Sequence, residues 1–269
     1  MTIAGYLIAV AIDVLFPIAL AIWVRRRFGV RWRYLAMGAV VFGVSQLLTR
    51  IPAMKLIEYF FLADVLTSSD TAMMVYLGVA AVTAGLFEEV GRYLGWKVLL
   101  KKLEKTFDGA VMYGVGHGGL ESVLLVGGLA IVGMINALVL PGLDPESLGL
   151  PPDQVDQVYE AQRQIAQMPW WLPVMGGLER IFAMCVQISM SVLVVQCFVR
   201  GSIKWLWIAI GFHAFIDFTA VFAHQTFGES LGMTWGTVAT EGVVAAMAIA
   251  SLAIVFRLRP GGDPKNPAN

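Results

Sequence analysis

The sequence predicts an all-α, polytopic membrane helix bundle with about seven transmembrane helices. Three observations carry that expectation. Hydrophobic residues make up 58% of the chain and charged residues 14%, where soluble domains are about a quarter charged. Mean hydropathy is +0.74. The apolar runs reach the ~20 residues that a helix needs to cross a hydrocarbon core. Strand-like alternation is missing, so helices must satisfy the backbone in lipid. A net charge of zero leaves no electrostatic footprint for nucleic acid.

In chain order the spans are read at roughly 2–24, 34–54, 71–100, 108–140, 172–200, 204–226 and 233–257. The first carries Asp13 and Pro17, has no preceding positive charge and ends in Arg25-Arg26-Arg27. It lacks a small-residue cleavage site and reads as a retained helix. Between the second and third spans, KLIEYFFLADVL (55–66) is apolar but short and charged, and is expected to lie along the outer surface as a possible eighth, interfacial helix. The loop 141–171 opens with turn-rich PGLDPESLGLPPD. Its second half places Val155, Val158, Ile165 and Met168 at helical spacing, which predicts a short amphipathic helix. Residues 1–258 form one membrane domain on this reading, and 259–269 a disordered cytoplasmic tail. Cys185 and Cys197 share one span, twelve residues or ~18 Å apart, too far for a disulfide.

Basic residues set the orientation. Alternate loops hold Arg25–Arg27, Arg31 and Arg33, then Lys101, Lys102 and Lys105, then Arg200 and Lys204, with Arg257, Arg259 and Lys265 after the last span. The other loops hold only Arg50, Lys55 and Arg163. A multi-pass protein of the cell membrane is expected, with the N-terminus outside and the C-terminus cytoplasmic. The eight tryptophans fall near the span ends as an aromatic belt.

Within this apolar chain the charged residues stand out. Glu88, Glu89 and Arg92 are the only charges between Met73 and Lys97. A charge at mid-bilayer costs ~3 kcal/mol even on insertion scales, so it marks a functional site by default. His117 and Glu121 (HGGLE) are i,i+4, as are His213 and Asp217 (HAFID) and Glu88 and Arg92, so each pair shares a helix face. Glu88 lies nine residues before Lys97, His117 nine after Asp108, and His213 nine after Lys204. Nine helical residues span ~14 Å, which places all three near mid-membrane. Single buried pairs are ordinary glue between helices. Two His–carboxylate pairs and a Glu-Glu pair in a chain with three histidines are not ordinary. His224, near a span end, reads as a surface residue. Glu179-Arg180 reads as a supporting ion pair, self-neutralised or shared with Glu121 or Arg92. Gln187, Ser189 and Ser191 are candidates for the same interior face.

A buried carboxylate beside a neutral imidazole suits the activation of water, and a second imidazole suits donation to an oxyanion. The chain has no GxSxG or HExxH, and neither cysteine neighbours a histidine. FEEVGRY, YGVGHGG and GFHAFIDF resemble the three motifs of the CAAX prenyl-protease (ABI/CPBP) superfamily of intramembrane endopeptidases. With GHGGLE and GLER added, the pattern is similar to the YhfC family, described as glutamic-type or metallo-type intramembrane proteases. The resemblance implies that Glu88 and His117 orient and deprotonate the attacking water, and that His213 and Asp217 stabilise the oxyanion. Glu89 and Arg92 would support the first motif, with Glu121, Glu179 and Arg180 around it. Arg92 follows the glutamates one residue sooner than in the common prenyl-protease pattern, and Asp217 stands where Asn is usual. An ionised Asp would repel an oxyanion, so Asp217 must be protonated, orient His213 or help bind a metal.

This reading of the residues requires no metal. Zn²⁺ is the alternative cofactor, with His117, His213, Glu88, Glu121 and Asp217 as its possible ligands. Metal-free glutamate chemistry ranks ahead of it. Glu88 rather than Glu89 is read as the base, because Glu89 points about 100° away on the helix. The expected partners are the bilayer and a membrane-protein or lipidated-peptide substrate, cleaved in or near the membrane and reached from the cytoplasm or laterally from lipid. The competing reading is a transporter with a buried proton or ion relay, though the chain lacks internal repeats and matched broken helices. A catalytically dead binding protein is the third.

The orientation is testable in intact cells. With Cys185 and Cys197 replaced by alanine, a cysteine introduced at position 148 should react with an impermeant maleimide and one at position 30 should not. The opposite labelling would invert the topology.

Overall fold

The computed structural model describes residues 2–260. Six helices are long and apolar enough to cross a membrane: α1 Thr2–Phe28, α2 Trp32–Ser68, α3 Asp70–Leu99, α4 Phe107–Gly142, α6 Leu172–Val199 and α7 Lys204–Leu258. The shorter α5, Pro152–Gln167, forms in the loop where an amphipathic helix is expected. Its Val155, Val158, Ile165 and Met168 are half-buried, and the Gln162 amide donates to the carbonyls of Leu140 and Leu143 at 2.7 and 3.0 Å. Ser69 and Thr106 cap α3 and α4, their hydroxyls accepting from the amides of Ala72 and Gly109. The tail from 261 lies outside the described residues.

Seven expected spans become six continuous helices because α7 contains two. Its 55 residues would run about 80 Å if straight, more than twice a bilayer core. At Gly232 φ is 76° and ψ 166°, a conformation that only glycine adopts freely. A Cβ on Gly236 would lie 2.8 Å from Gly228 Cα, where eight helical residues would hold them about 12 Å apart. The chain therefore doubles back, and the arms 204–231 and 233–258 are the sixth and seventh spans. The segment 55–66 is a continuation of α2. Beyond Arg50 that helix buries no residue, and it turns Tyr59, Phe60 and Phe61 outward, as expected of side chains that lipid covers.

Helix α6 is the centre of the bundle, with 67% of its apolar window buried against 33% or less for the others. Close approach to α6 and α2 is bought by the glycines of α4. A Cβ on Gly114 would fall 2.6 Å from Ile188 Cα, and one on Gly116 would fall 2.7 Å from the carbonyl carbon of Leu35. Small residues let membrane helices reach backbone contact, where dispersion and polar contacts replace the hydrophobic drive. Toward the basic ends Trp96 stacks on Tyr113 with centroids 5.3 Å apart, and Leu100, Met112, Val192 and Val194 are fully buried.

Gly116→Val should therefore lower the melting temperature by several degrees, by analogy with overpacked cores at roughly 1–3 kcal/mol. Gly128→Val, where a Cβ meets open space, should leave it unchanged in the same detergent.

Candidate active site

One turn of α3 carries Glu88, Glu89 and Arg92, and all three are buried. The Arg92 guanidinium donates to Glu89 Oε1, to Glu88 Oε2 at 3.3 Å and to Gln187 Oε1 of α6. One cation thus faces both carboxylates, and the histidines supply the remaining contacts. His117 Nε2 of α4 lies 2.9 Å from Glu88 Oε2, and His213 Nδ1 of α7 lies 2.6 Å from Glu89 Oε1. The Gln46 amide of α2 donates to Glu88 Oε1 at 2.8 Å. The three helices expected to share a layer do meet there, together with two more. Phe42 presents its edge to the His117 ring at 5.2 Å.

One expected pairing is replaced. His117 and Glu121 share a helix face but do not bond to each other. Glu121 binds Arg180 Nη1 at 3.0 Å and accepts from Gln187 Nε2 at 2.7 Å, stronger partners than a neutral imidazole. Arg180 also pairs with Glu179, so this supporting ion pair is shared with Glu121 and not with Arg92. His213 and Asp217 come within 3.5 Å through Nε2. Glu89 holds the other nitrogen of the same ring, Nδ1. Asp217 is partly exposed and His224 is exposed.

A cleft of about 300 Å³ opens beside the cluster, lined by Gln46, Arg50, Glu88, Glu121 and Asp217 among apolar side chains that include Leu77, Ala80 and Ala84. Glu88 faces this space and Glu89 does not. The α3 lining runs from Glu88 back toward Asp70, away from the basic helix ends. Trp96 and Tyr113, packed on each other, lie on the other side of the cluster, toward the basic helix ends. Gln46 and Arg50 were not singled out as site residues from sequence. The available signal was a lone amide in VFGVSQLL, inside an otherwise apolar span.

Ligand atoms of Glu88, Glu89 and His213 lie within 4.8 Å of one another. Two carboxylates and an imidazole are donors that a divalent transition metal accepts, so the residues fit such an ion. The set differs from the expected one. Glu89 joins it, while Glu121 is engaged by Arg180 and Gln187, and His117 and Asp217 fall outside the converging group.

Residues 12–236 match the family model described as YhfC intramembrane metalloprotease. The chain belongs to the YhfC family. It is 30% identical over 244 residues, 90% of each chain, to the uncharacterized membrane protein YhfC of Bacillus subtilis (strain 168). No solved structure matches it significantly. The side chains that meet in this cluster come from FEEVGRY, YGVGHGG and GFHAFIDF.

Removing Arg92 would leave Glu88 and Glu89 buried against each other, and breaking a buried pair costs about 3–5 kcal/mol. Arg92→Ala should fail to accumulate as a monodisperse protein, while Arg92→Lys should accumulate at reduced melting temperature. Normal yield and stability of Arg92→Ala would contradict the role given to the guanidinium.

Proposed function

We propose that this protein is an intramembrane endopeptidase that hydrolyses a peptide bond of a membrane-spanning or lipid-anchored substrate with a Glu88-activated water. One observation carries the reading: Glu88 presents a carboxylate to a cleft at the centre of the bundle while His117 Nε2 holds it at 2.9 Å. Gln46 and Arg92 fix the same carboxylate from two other directions, so its orientation is set before substrate arrives, as a positioned base requires.

In this mechanism Glu88 takes a proton from water as the oxygen adds to the scissile carbonyl carbon, with His117 orienting the water. His213 Nε2 faces the developing oxyanion. Its Nδ1 is committed to Glu89, so Nε2 donates if the ring is an imidazolium or if the shared proton sits on Glu89. Asp217, beside Nε2, serves as partner to that proton. Collapse of the tetrahedral intermediate breaks the C–N bond, and the proton held by Glu88 passes to the leaving amine. The apolar walls exclude bulk water, which strengthens each of these electrostatic contacts. Glu89, Arg92, Gln187, Glu121, Glu179 and Arg180 form the ionic scaffold behind them. The basic helix ends face the cytoplasm, so the cleft opens within the outer half of the membrane.

The convergence of Glu88, Glu89 and His213 and the family's description favour a metal-dependent form of the same reaction. An ion on those three residues would polarise the carbonyl and acidify a bound water.

The purified protein in lipid nanodiscs should cleave a fluorogenic transmembrane peptide, and Glu88→Gln should lose at least about 10³-fold in kcat at unchanged melting temperature. Metal dependence predicts loss of activity on chelation and its return with Zn²⁺, together with stoichiometric metal in the purified protein. Metal-free chemistry predicts neither. Solute or ion flux with no cleavage by the wild type would replace the protease by a transporter.

A further inference from the structure

Arg50 is the charged group in the cleft that the mechanism leaves unused. It ends the π-helical turn Gly43–Arg50 of α2 and reaches across the cleft to α3. Its Nε donates to Thr83 Oγ1 at 3.2 Å, Nη1 donates to Gln46 Oε1 at 3.0 Å, and Nη2 donates to the Ala80 carbonyl. A guanidinium carries five N–H groups, so two remain after these three bonds. Arg50 is half-buried, whereas the two arginines buried in the bundle, Arg92 and Arg180, each pair with two carboxylates. Among the described residues Arg50 has no carboxylate within 4.0 Å. A long basic side chain without a partner in lipid normally snorkels to the interface. Arg50 instead is held inward by bonds to two helices and lines the cleft beside Glu88.

Depth narrows what this cation meets. Thr83 and Ala80 precede Glu88 by five and eight residues on α3, about 7.5 and 12 Å along the axis. With Glu88 at mid-membrane, the guanidinium lies inside the ~15 Å half-thickness of the hydrocarbon core and short of the lipid phosphates. An extended peptide rises about 3.3 Å per residue, so the same interval corresponds to roughly two to four residues of substrate. The remaining wall between Arg50 and Glu88 is small and apolar, with Ala80 and Ala84 on α3. Of the three carboxylates that line the cleft, Glu88 is engaged by Arg92, Glu121 by Arg180, and Asp217 lies 3.5 Å from His213 Nε2.

We propose that Arg50 is a substrate-recognition residue that binds the side-chain carboxylate of an Asp or Glu lying two to four residues from the scissile bond, on the segment that runs toward the Asp70 end of α3. The inference rests on the protease reading for the position of the scissile bond and identifies its substrates as membrane peptides with small apolar residues flanked by an acid. A fixed, already hydrogen-bonded guanidinium loses little entropy on taking a carboxylate, and charge-assisted bonds in low dielectric are strong. An acidic residue is otherwise a poor occupant of lipid, so the subsite would select substrates that few membrane segments resemble.

The test separates binding from cleavage. Glu88→Gln protein in nanodiscs is titrated with fluorescein-labelled Leu/Ala peptides carrying one Glu three residues from a central Ala-Ala, the same peptide with Gln, and a peptide truncated at that position with a free or amidated end. The Glu peptide should bind about tenfold more tightly than the Gln peptide. Arg50→Gln should erase the difference, and Arg50→Lys should retain part of it. Equal binding of the Glu and Gln peptides, no binding of either, a preference that survives Arg50→Gln, or a preference for the free chain end alone would each overturn the assignment. Charge-selective binding by a wild type that cleaves nothing would sink the protease reading and keep the carboxylate site. Cleavage without charge selectivity would do the reverse.

Discussion

The structure depends on one guanidinium. Two adjacent glutamates in the middle of a membrane helix repel each other where burial leaves little solvent to dissipate the charge. Arg92, one turn further along the same helix, faces both of them, and Gln187 fixes it from the central helix. The histidines of α4 and α7 then complete the cluster from opposite sides, His117 on Glu88 and His213 on Glu89. Each of these helices must come close enough for a short side chain to reach, and the small residues of α3 and α4 make that possible. A Cβ on Gly85 would lie 3.3 Å from His213 Cβ, and one on Gly118 would lie 2.9 Å from Gln187 Cβ.

Burial divides the two carboxylates more sharply than helix geometry alone. Glu89 is sealed between Arg92 and His213. Glu88 keeps a face on the cleft, and Gln46, His117 and Arg92 grip its oxygens. A second ionic layer, Glu121 with Arg180 and Glu179, connects to the first through the Gln187 side chain, which donates to Glu121 and receives Arg92. Buried networks that leave groups unpaired are costly, and among the described residues Glu89 Oε2, Arg92 Nε, His117 Nδ1 and Arg180 Nε find no hydrogen-bond partner. Both Glu88 oxygens are held, as a base aimed before substrate arrives must be.

Much of this was legible in the sequence because lipid leaves few choices. Apolar length gave the spans, and intramembrane charges marked the helices that meet. Motif order pointed to the family. The pairing within the cluster was less legible. Helix periodicity says which residues share a face, but it does not say which will bond. His117 and Glu121 share a face and yet take different partners, because Glu88 and Arg180 on other helices compete for them. Gln46 and Arg50 were obscured because a lone amide and an arginine at a span end read as ordinary glue and an interfacial anchor. The direction of the cleft was also hidden, since the packing of Trp96 on Tyr113 toward the basic helix ends is a tertiary event. The turn at Gly232 replaces a loop by a single non-helical residue, so the two expected spans follow each other without a longer connection.

The central question is whether Glu88 makes this protein cut other membrane proteins. The most direct measurement is a comparison of protein N-termini in membranes from cells expressing the wild type or Glu88→Gln at equal levels. The account predicts new N-termini that lie within or beside membrane-spanning segments in the wild type and are missing in the variant. Indistinguishable sets of termini would contradict it.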